Sequence, residues 1–468
     1  MTDPILERIA AIVGAANVLV DPIDRAGYEA DPRDLYHGRA RAVVRPAATR
    51  EVSQVLALCD AARIAVTPQG GNTGLVGGQS PAGDRREIVL SLRRLDRVRA
   101  IDPEGMTMTV EAGVTLAAAQ SAAEAADRLF PLALASEGSC TIGGNLATNA
   151  GGVNVIAYGN ARELTLGVEA VLADGRVTNL LSGLRKDNTG YDLRNLLIGS
   201  EGTLGIVTAA TLKLFPRPRA RATAFAAVSS PAAALGLLDL ARATLPATVS
   251  SFELLPRIAV EFVTSAFPSE RDPLGAPAPW YALVEAVSQA EAPLDDAMAT
   301  LLADAAGRGL VLDATVAASE ARRAALWRLR EFLPEAQKPQ GGSIKHDVSV
   351  PVSKTPELIE RASAAALRVV PDARVCAFGH LGDGNVHFNV SQPVGADKAA
   401  FLARWDEMNE AVHAVVLGLG GSISAEHGIG RLKRDLLAST KDPTALAMMR
   451  AIKRTLDPND TLNPGRVL

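Results

Sequence analysis

Apolar positions recur along this chain with two periods, and the switch between them marks out its parts. Ile5, Leu6, Ile9, Ile12 and Val13 fall on one stripe of a 3.6-residue period and predict an N-terminal helix, followed by a polar lead-in to about residue 37. Val52, Val55, Leu56, Cys59 and Ala62 predict a second helix near 49–63. Period-2 alternation takes over in MTMTVE at 106–111, a strand, and an Ala-rich helix is expected at 115–128. Asp174-Gly175 stands between VEAVLA and RVTNL, a hairpin signal. The strand-like TLGIVTAATLKLF then stops at Pro216-Arg217-Pro218-Arg219, where a domain boundary is expected.

Beyond that boundary the rhythm changes. Strands are expected at 280–287, 310–316, 343–350, 374–379 and 386–390, with helices at 293–307, 319–335 and 355–369 between them. That order suggests an α+β domain on a mainly antiparallel sheet. The tail after about residue 420 is too short to be a domain and should pack back on something. The expected division is an N-terminal helix and lead-in at 1–37, domains at 38–217 and 218–420, and a returning segment at 421–468.

Composition narrows the class without naming it. The 468 residues carry 48 Lys plus Arg against 52 Asp plus Glu, a balance with no electrostatic footprint for nucleic acid. Three scattered cysteines, Cys59, Cys140 and Cys376, form neither a disulfide framework nor an iron–sulfur or haem-attachment motif. No basic leader opens the chain and no run approaches the length of a membrane span, so a soluble cytoplasmic protein is the expectation.

Three glycine-rich segments carry the first candidate chemistry. PQGGNTGLVGG at 68–78 follows a short strand at 64–67, and glycine-rich backbone after a strand can turn successive N–H groups onto an anion. No Gly-Lys occurs, which excludes a Walker loop, and GxGxxG does not fit these glycines. EGSCTIGGNLATNAGG at 137–152 would bury a core poorly but suits wrapping a polar ligand, and GSEGTLGI at 199–206 opens a strand. One such loop alone reads as a surface turn. Three within one domain point to a large phosphate-bearing cofactor.

Histidines supply the second. In GHLGDGNVHFN, Asp383-Gly384 reads as a hairpin turn that brings His380 and His387 together, with His387 and Asn389 on one face and Val386 and Phe388 on the other. Two imidazoles and a carboxylate make a divalent-metal set with positions left for substrate, and Glu426 in SAEHG is the candidate carboxylate. Alternation in 343–350 puts Ser343, Lys345, Asp347 and Ser349 on one face and turns His346 to the core. His37 reads as a surface residue and His413 as a helix position.

Together, PQGGNTGLVGG, GSCTIGGNLATNAGG and GSEGTLGIVT resemble the FAD-binding domain of vanillyl-alcohol-oxidase-type flavoproteins. The rest of the chain resembles their FAD-linked oxidase C-terminal branch, the D-2-hydroxyglutarate, D-lactate and glycolate dehydrogenases. The resemblance implies an α+β fold: an FAD-binding domain, an α+β substrate (cap) domain on an antiparallel sheet, and a C-terminal segment packing back. It implies cofactor contacts from Pro68, Gln69, Gly70, Gly71, Asn72, Thr73, Gly74, Gly77 and Gly78 in the first loop. In the second it implies Gly138, Ser139, Thr141, Gly143, Gly144, Asn145, Thr148, Gly151 and Gly152, and further on Glu201, Gly205, Ile206 and Asn463. The first loop lacks the His or Cys that covalent members use, so FAD is expected to be non-covalent. By resemblance His380, His387 and Glu426 are metal ligands, for Zn²⁺, and His427 is the general base. Arg330 and Lys345 are implied to hold the substrate's distal carboxylate, with Asn389 a further contact. The sequence departs from the family at Pro334, where a threonine would help to hold that carboxylate; proline offers no N–H donor.

The implied activity is oxidation of a D-2-hydroxy acid to the 2-oxo acid by hydride transfer to flavin, with D-2-hydroxyglutarate or D-malate favoured. D-lactate or glycolate dehydrogenation is the alternative within the family. A metal-dependent hydrolase and a non-catalytic FAD module are the readings outside it. Electrons would leave the flavin for a separate partner such as an electron-transfer flavoprotein, a quinone or oxygen. No nucleic acid partner and no membrane span are expected, and a homodimer is left open.

Overall fold

The computed structural model describes all residues except 1–2, 84–86 and 292. The chain divides into two compact units. The first comprises residues 1–151, 159–217 and 427–468, and the second residues 152–158 and 218–426. The division falls after Arg217, inside the Pro-Arg-Pro-Arg segment. Two differences from the sequence expectation stand out. Residues 152–158 leave the glycine-rich half for the second unit, and the returning segment starts at His427 rather than 421.

In the first unit, a four-stranded sheet runs in the order Val18–Leu19, Val43–Val44, Ile88–Ser91, Val66–Gln69, parallel except for its first pair. Pro68 and Gln69 therefore end an edge strand rather than open the loop, and an edge is where a proline is tolerated. A five-stranded antiparallel sheet contains the expected hairpin, Thr165–Val171 with Val177–Leu180. The helices Pro4–Val13 and Thr49–Ala61 pack Ile9, Val13, Val52, Val55 and Leu56 into one core with Ile88 and Leu90. The C-terminal segment does pack back. Leu462 bridges in parallel to Val66, and Arg466 reaches buried Glu87 at 3.1 Å.

The second unit is built on a seven-stranded sheet, antiparallel throughout. Its order is Asp313–Val316, Ala220–Val228, Trp280–Ser288, Thr248–Pro256, Arg374–His380, Asn385–Ser391, Ser343–Ser349. One face buries Ala224, Phe252, Leu254, Val284, Phe388 and Ile344 against the helices Pro231–Thr244, Leu294–Gly307, Thr355–Val369 and Trp405–Gly418. The other face buries Phe225, Tyr281, Leu283 and Phe378 beneath the helices Arg257–Ala266 and Glu320–Glu331. Each such large side chain contributes about 1.5–3 kcal/mol by leaving water.

The expected helix at 319–335 is interrupted. Ser319 caps Glu320–Glu331, accepting from the Arg322 N–H, and a second short helix Leu333–Ala336 starts at once with Pro334 in its first turn. Pro334 is exposed. Two strands, Ala220–Val228 and Thr248–Pro256, and the helices after them were not evident in the sequence. No helix among the described residues is long and apolar enough to cross a membrane.

Candidate active site

Residues directly opposite one another in an antiparallel pair share a face. In the second unit, register places Asp347 opposite His387 and His387 opposite Phe378. Two residues along, Lys345 is opposite Asn389 and Asn389 opposite Cys376. His380 is opposite Glu253. The expected hairpin is thus real, with a four-residue connection from Leu381 to Gly384 between its strands. It gathers these polar side chains on the face that also carries Phe378 and the helix bearing Arg330.

The ligating atoms of His380, His387 and Glu426 lie within 4.8 Å of one another. His380 Nε2 is 3.3 Å from Glu426 Oε1. Two ligands at ~2.0–2.1 Å from a tetrahedral zinc stand about 3.3 Å apart, so the donors fit a divalent cation in both chemistry and spacing. Buried carboxylates back both rings. Glu253 Oε1 is 2.5 Å from His380 Nδ1, and Asp347 Oδ1 is 3.8 Å from His387 Nδ1. Asp347 also accepts from Asn385 Nδ2 at 3.1 Å and from the N–H groups of Ala425 and Glu426 at 3.2 and 3.0 Å, which fixes the Glu426 backbone.

The electrostatics follow from burial and these partners. Burial pushes the His387 pKa down to about 3, leaving a neutral ring with a lone pair to give. Burial opposes the charged form of His380 too, but Glu253 and Glu426 outweigh it and hold its pKa well above the ordinary value. Burial disfavours ionised Glu426; His380 and His387 overcome this and bring it to about 2.

The substrate-binding candidates gather on this same unit, with changes. Arg330 is buried, and its Nε donates to Glu253 Oε2 at 2.5 Å while its guanidinium lies 4.9 Å from the Phe378 ring centroid. Arg330 therefore has a counter-ion inside the protein, which takes one of its five N–H donors. Asn389 Nδ2 donates to Gln337 Oε1 at 2.8 Å. Gln337, which sequence reasoning passed over, is buried. His346 is core-side as expected, 5.4 Å between ring centres from His413, which is itself buried. His37 is exposed.

The flavin candidates lie in the first unit, apart from Gly152. Gly71, Asn72, Thr73 and Gly74 donate their N–H groups to no protein acceptor among the described residues, as a phosphate cradle requires. Asn72 braces that loop by donating to the carbonyls of Gly27 and Ala30. The first and second loops touch backbone to backbone: a Cβ on Gly71 would lie 2.0 Å from Ser139 O, and one on Gly70 2.3 Å from Thr141 Oγ1. Thr141 caps the short helix Ile142–Ala147, accepting from the Gly144 N–H, and Thr148 Oγ1 donates to Gly144 O. Gly143 is there for packing, since a Cβ would meet that of Ala112 at 2.6 Å. Asn463 Nδ2 donates to the carbonyls of Gly78 and Glu201, leaving its buried Oδ1 without a partner.

Four flavin candidates also have contacts within the protein. The Glu201 carboxylate accepts from the N–H groups of Ile429 and Gly430 at 2.7 and 2.8 Å, holding the returning segment. Burial raises its pKa. Gly205 sits against Leu197, and the Ile206 side chain is part of the core. Gly152 directs its N–H to Glu426 Oε1 at 2.9 Å, inside the second unit.

The close approach at Gly71 makes a prediction. Overpacking of this kind costs about 1–3 kcal/mol, so Gly71→Ala is expected to weaken FAD binding roughly 5- to 150-fold. Reconstitution of apoprotein followed by flavin fluorescence quenching measures it; wild-type affinity would show that the loop spacing is immaterial.

Comparison with known proteins gives the family and the fold. A family profile described as FAD linked oxidases, C-terminal domain, matches residues 217–467, and one described as FAD binding domain matches 40–181. D-2-hydroxyglutarate dehydrogenase of Xanthomonas citri pv. viticola is 38% identical over 467 residues, 100% of this chain and 97% of the relative. The mitochondrial D-2-hydroxyglutarate dehydrogenase of Bos taurus is 37% identical over 99% of this chain and 82% of its own. Among solved structures, p-cresol methylhydroxylase matches with a TM-score of 0.76 at 18% identity, covering 99% of this chain and 96% of that one. The fold is that of vanillyl-alcohol-oxidase-type FAD enzymes.

Proposed function

Since this chain belongs to the FAD-linked oxidases and is an FAD-dependent hydroxyacid dehydrogenase, we propose that it oxidises a D-2-hydroxy diacid at a divalent-metal site made by His380, His387 and Glu426. D-2-hydroxyglutarate and D-malate are the favoured substrates. One observation carries this reading. Lys345 and Asn389 lie two residues from the Asp347–His387 row along their strands, about 7 Å at the rise of an antiparallel strand. A four- or five-carbon diacid spans that interval when its hydroxy-acid end is at the three donors and its far carboxylate is at Lys345.

Bound there, a divalent cation would supply Lewis acidity that eases loss of the hydroxyl proton, and FAD supplies the two-electron sink. The chain's own groups do the rest. His427 follows Glu426 directly, so their Cα atoms are held ~3.8 Å apart and its imidazole is the base offered to the C2 hydroxyl proton. With both imidazoles neutral, as ligation requires, Glu426 gives the donor set one negative charge, which suits a divalent ion and an anionic substrate together. Asp347 and Glu253 orient the two imidazoles. Lys345 and Arg330, the latter anchored on Glu253, hold the distal carboxylate with Asn389 a further contact, and Gln337 holds Asn389. Zinc is the favoured metal, with two nitrogen donors and one oxygen.

Non-covalent FAD follows from a first loop with neither His nor Cys and from Cys140, buried with its thiol pKa raised by burial. Acid precipitation is expected to release the yellow chromophore into the supernatant; colour held in the pellet would contradict it. The substrate reading is tested by a dye-linked assay of D-2-hydroxyglutarate, D-malate, D-lactate and glycolate on one preparation. A preference for either monoacid would move the protein to the D-lactate or glycolate dehydrogenases of the same family. The same assay with an electron-transfer flavoprotein or a quinone in place of the dye identifies the acceptor.

A further inference from the structure

We propose that Glu253 is a positioning residue that ties the metal ligand His380 to the cation Arg330 and so fixes the spacing between the two ends of the substrate site. The proposal rests on the metal reading above and deepens it. Glu253 lies in the strand Thr248–Pro256 between Phe252 and Leu254, and its side chain is 0% exposed. A carboxylate carried so far from water is strongly unfavourable unless it is fully engaged. Both its oxygens are engaged. Oε1 is 2.5 Å from His380 Nδ1, and Oε2 accepts from Arg330 Nε at 2.5 Å.

Each contact has a consequence at the site. In the neutral ring that a metal requires, with Nδ1–H donated to Glu253, the lone pair of His380 is on Nε2, the nitrogen that faces Glu426 at 3.3 Å. A carboxylate behind a histidine in this way sets its tautomer, orients its ring and raises its basicity as a ligand. Arg330 carries five N–H donors, of which Glu253 takes one. The Phe378 ring beneath the guanidinium, 4.9 Å to its centroid, fixes the plane of the rest. Phe378 is in turn 5.1 Å from the His387 ring. Both ligand histidines and the cation are thereby referred to one rigid patch of sheet. A purely structural ion pair would predict a stability loss and nothing else.

The test uses metal-stripped, FAD-loaded protein and Zn²⁺ alone as the probe, titrated against a competing chelator. Glu253→Gln keeps the shape of the side chain, but its amide NH₂ must face one of two donors. Loss of such a partner lowers metal affinity roughly 10- to 100-fold, and that loss is the expected result. The ratio of kcat/KM for D-2-hydroxyglutarate over D-lactate should fall in the same variant, because Arg330 loses its anchor. Glu253→Asp retains the charge but is one methylene shorter and cannot span both partners, so it should fall between the two. If Glu253→Gln alone fails to fold, the double variant Glu253→Gln, Arg330→Gln, which leaves no unpaired buried charge, gives the same zinc readout. A folded variant with wild-type zinc affinity and an unchanged substrate ratio overturns the proposal. A wild-type protein that takes up no zinc overturns the metal reading itself, and the proposal with it.

Discussion

Replacing His387 with alanine is expected to lower kcat by roughly 100- to 10,000-fold while the flavin content of the purified protein stays at the wild-type level. The magnitude is that of losing a Lewis acid worth several kcal/mol, at ~1.4 kcal/mol per decade of rate. The selectivity of the effect comes from where the groups lie. His387 ends a row of polar residues on the sheet of the second unit, whereas the unpartnered N–H groups of Gly71–Gly74 are in the first. Absorbance near the flavin maximum, metal analysis of the same sample and steady-state turnover check all three parts together. Full activity in a verified metal-free wild-type preparation would remove the metal from the chemistry.

Lys345→Met is expected to lower the ratio of kcat/KM for D-2-hydroxyglutarate over D-lactate by roughly 10- to 150-fold, the worth of a hydrogen bond to a charged group at about 1.5–3 kcal/mol. The sequence alone would divide this effect between Lys345 and Arg330. The ion pair with Glu253 changes that division, because Arg330 already has a carboxylate at its Nε. Most of the attraction for a second substrate carboxylate then falls to Lys345, half-buried on the strand Ser343–Ser349 and opposite Asn389. If the substitution damages D-lactate and the diacid equally, Lys345 acts at the reacting end and the distal-carboxylate assignment is wrong. Pro334 has little part in the outcome, because it is exposed on its short helix.

Much of the fold could be read from local pattern. The strands Ser343–Ser349, Arg374–His380 and Asn385–Ser391 alternate clearly, and the helices Leu294–Gly307 and Thr355–Val369 carry regular apolar stripes. The strand Ala220–Val228 was hidden for a physical reason. In ARATAFAAV alanines occupy both faces, so little contrast in hydrophobicity marks the alternation, and the whole run is buried from Ala222 onward. Pro334 broke a stretch that reads as one helix, as a proline with no N–H to give is apt to do.

By itself the sequence determined the residue types and their local placement. A glycine-rich backbone after a strand, two histidines across a hairpin and a lysine two residues from an aspartate on one strand are consequences of chain geometry within a few residues. Tertiary structure decided which of them work together. Glu253 looks like a misplaced charge in an apolar strand, because its partners Arg330 and His380 lie 77 and 127 residues further along. Glu201 stands in a cofactor motif, yet its carboxylate holds backbone N–H groups 228 and 229 residues away. A buried charge is tolerable only where partners converge on it from distant elements, and no local pattern encodes that convergence. The chemistry of the donors was therefore legible in the chain, while the carboxylates that aim them became visible only once the sheet had brought its strands side by side.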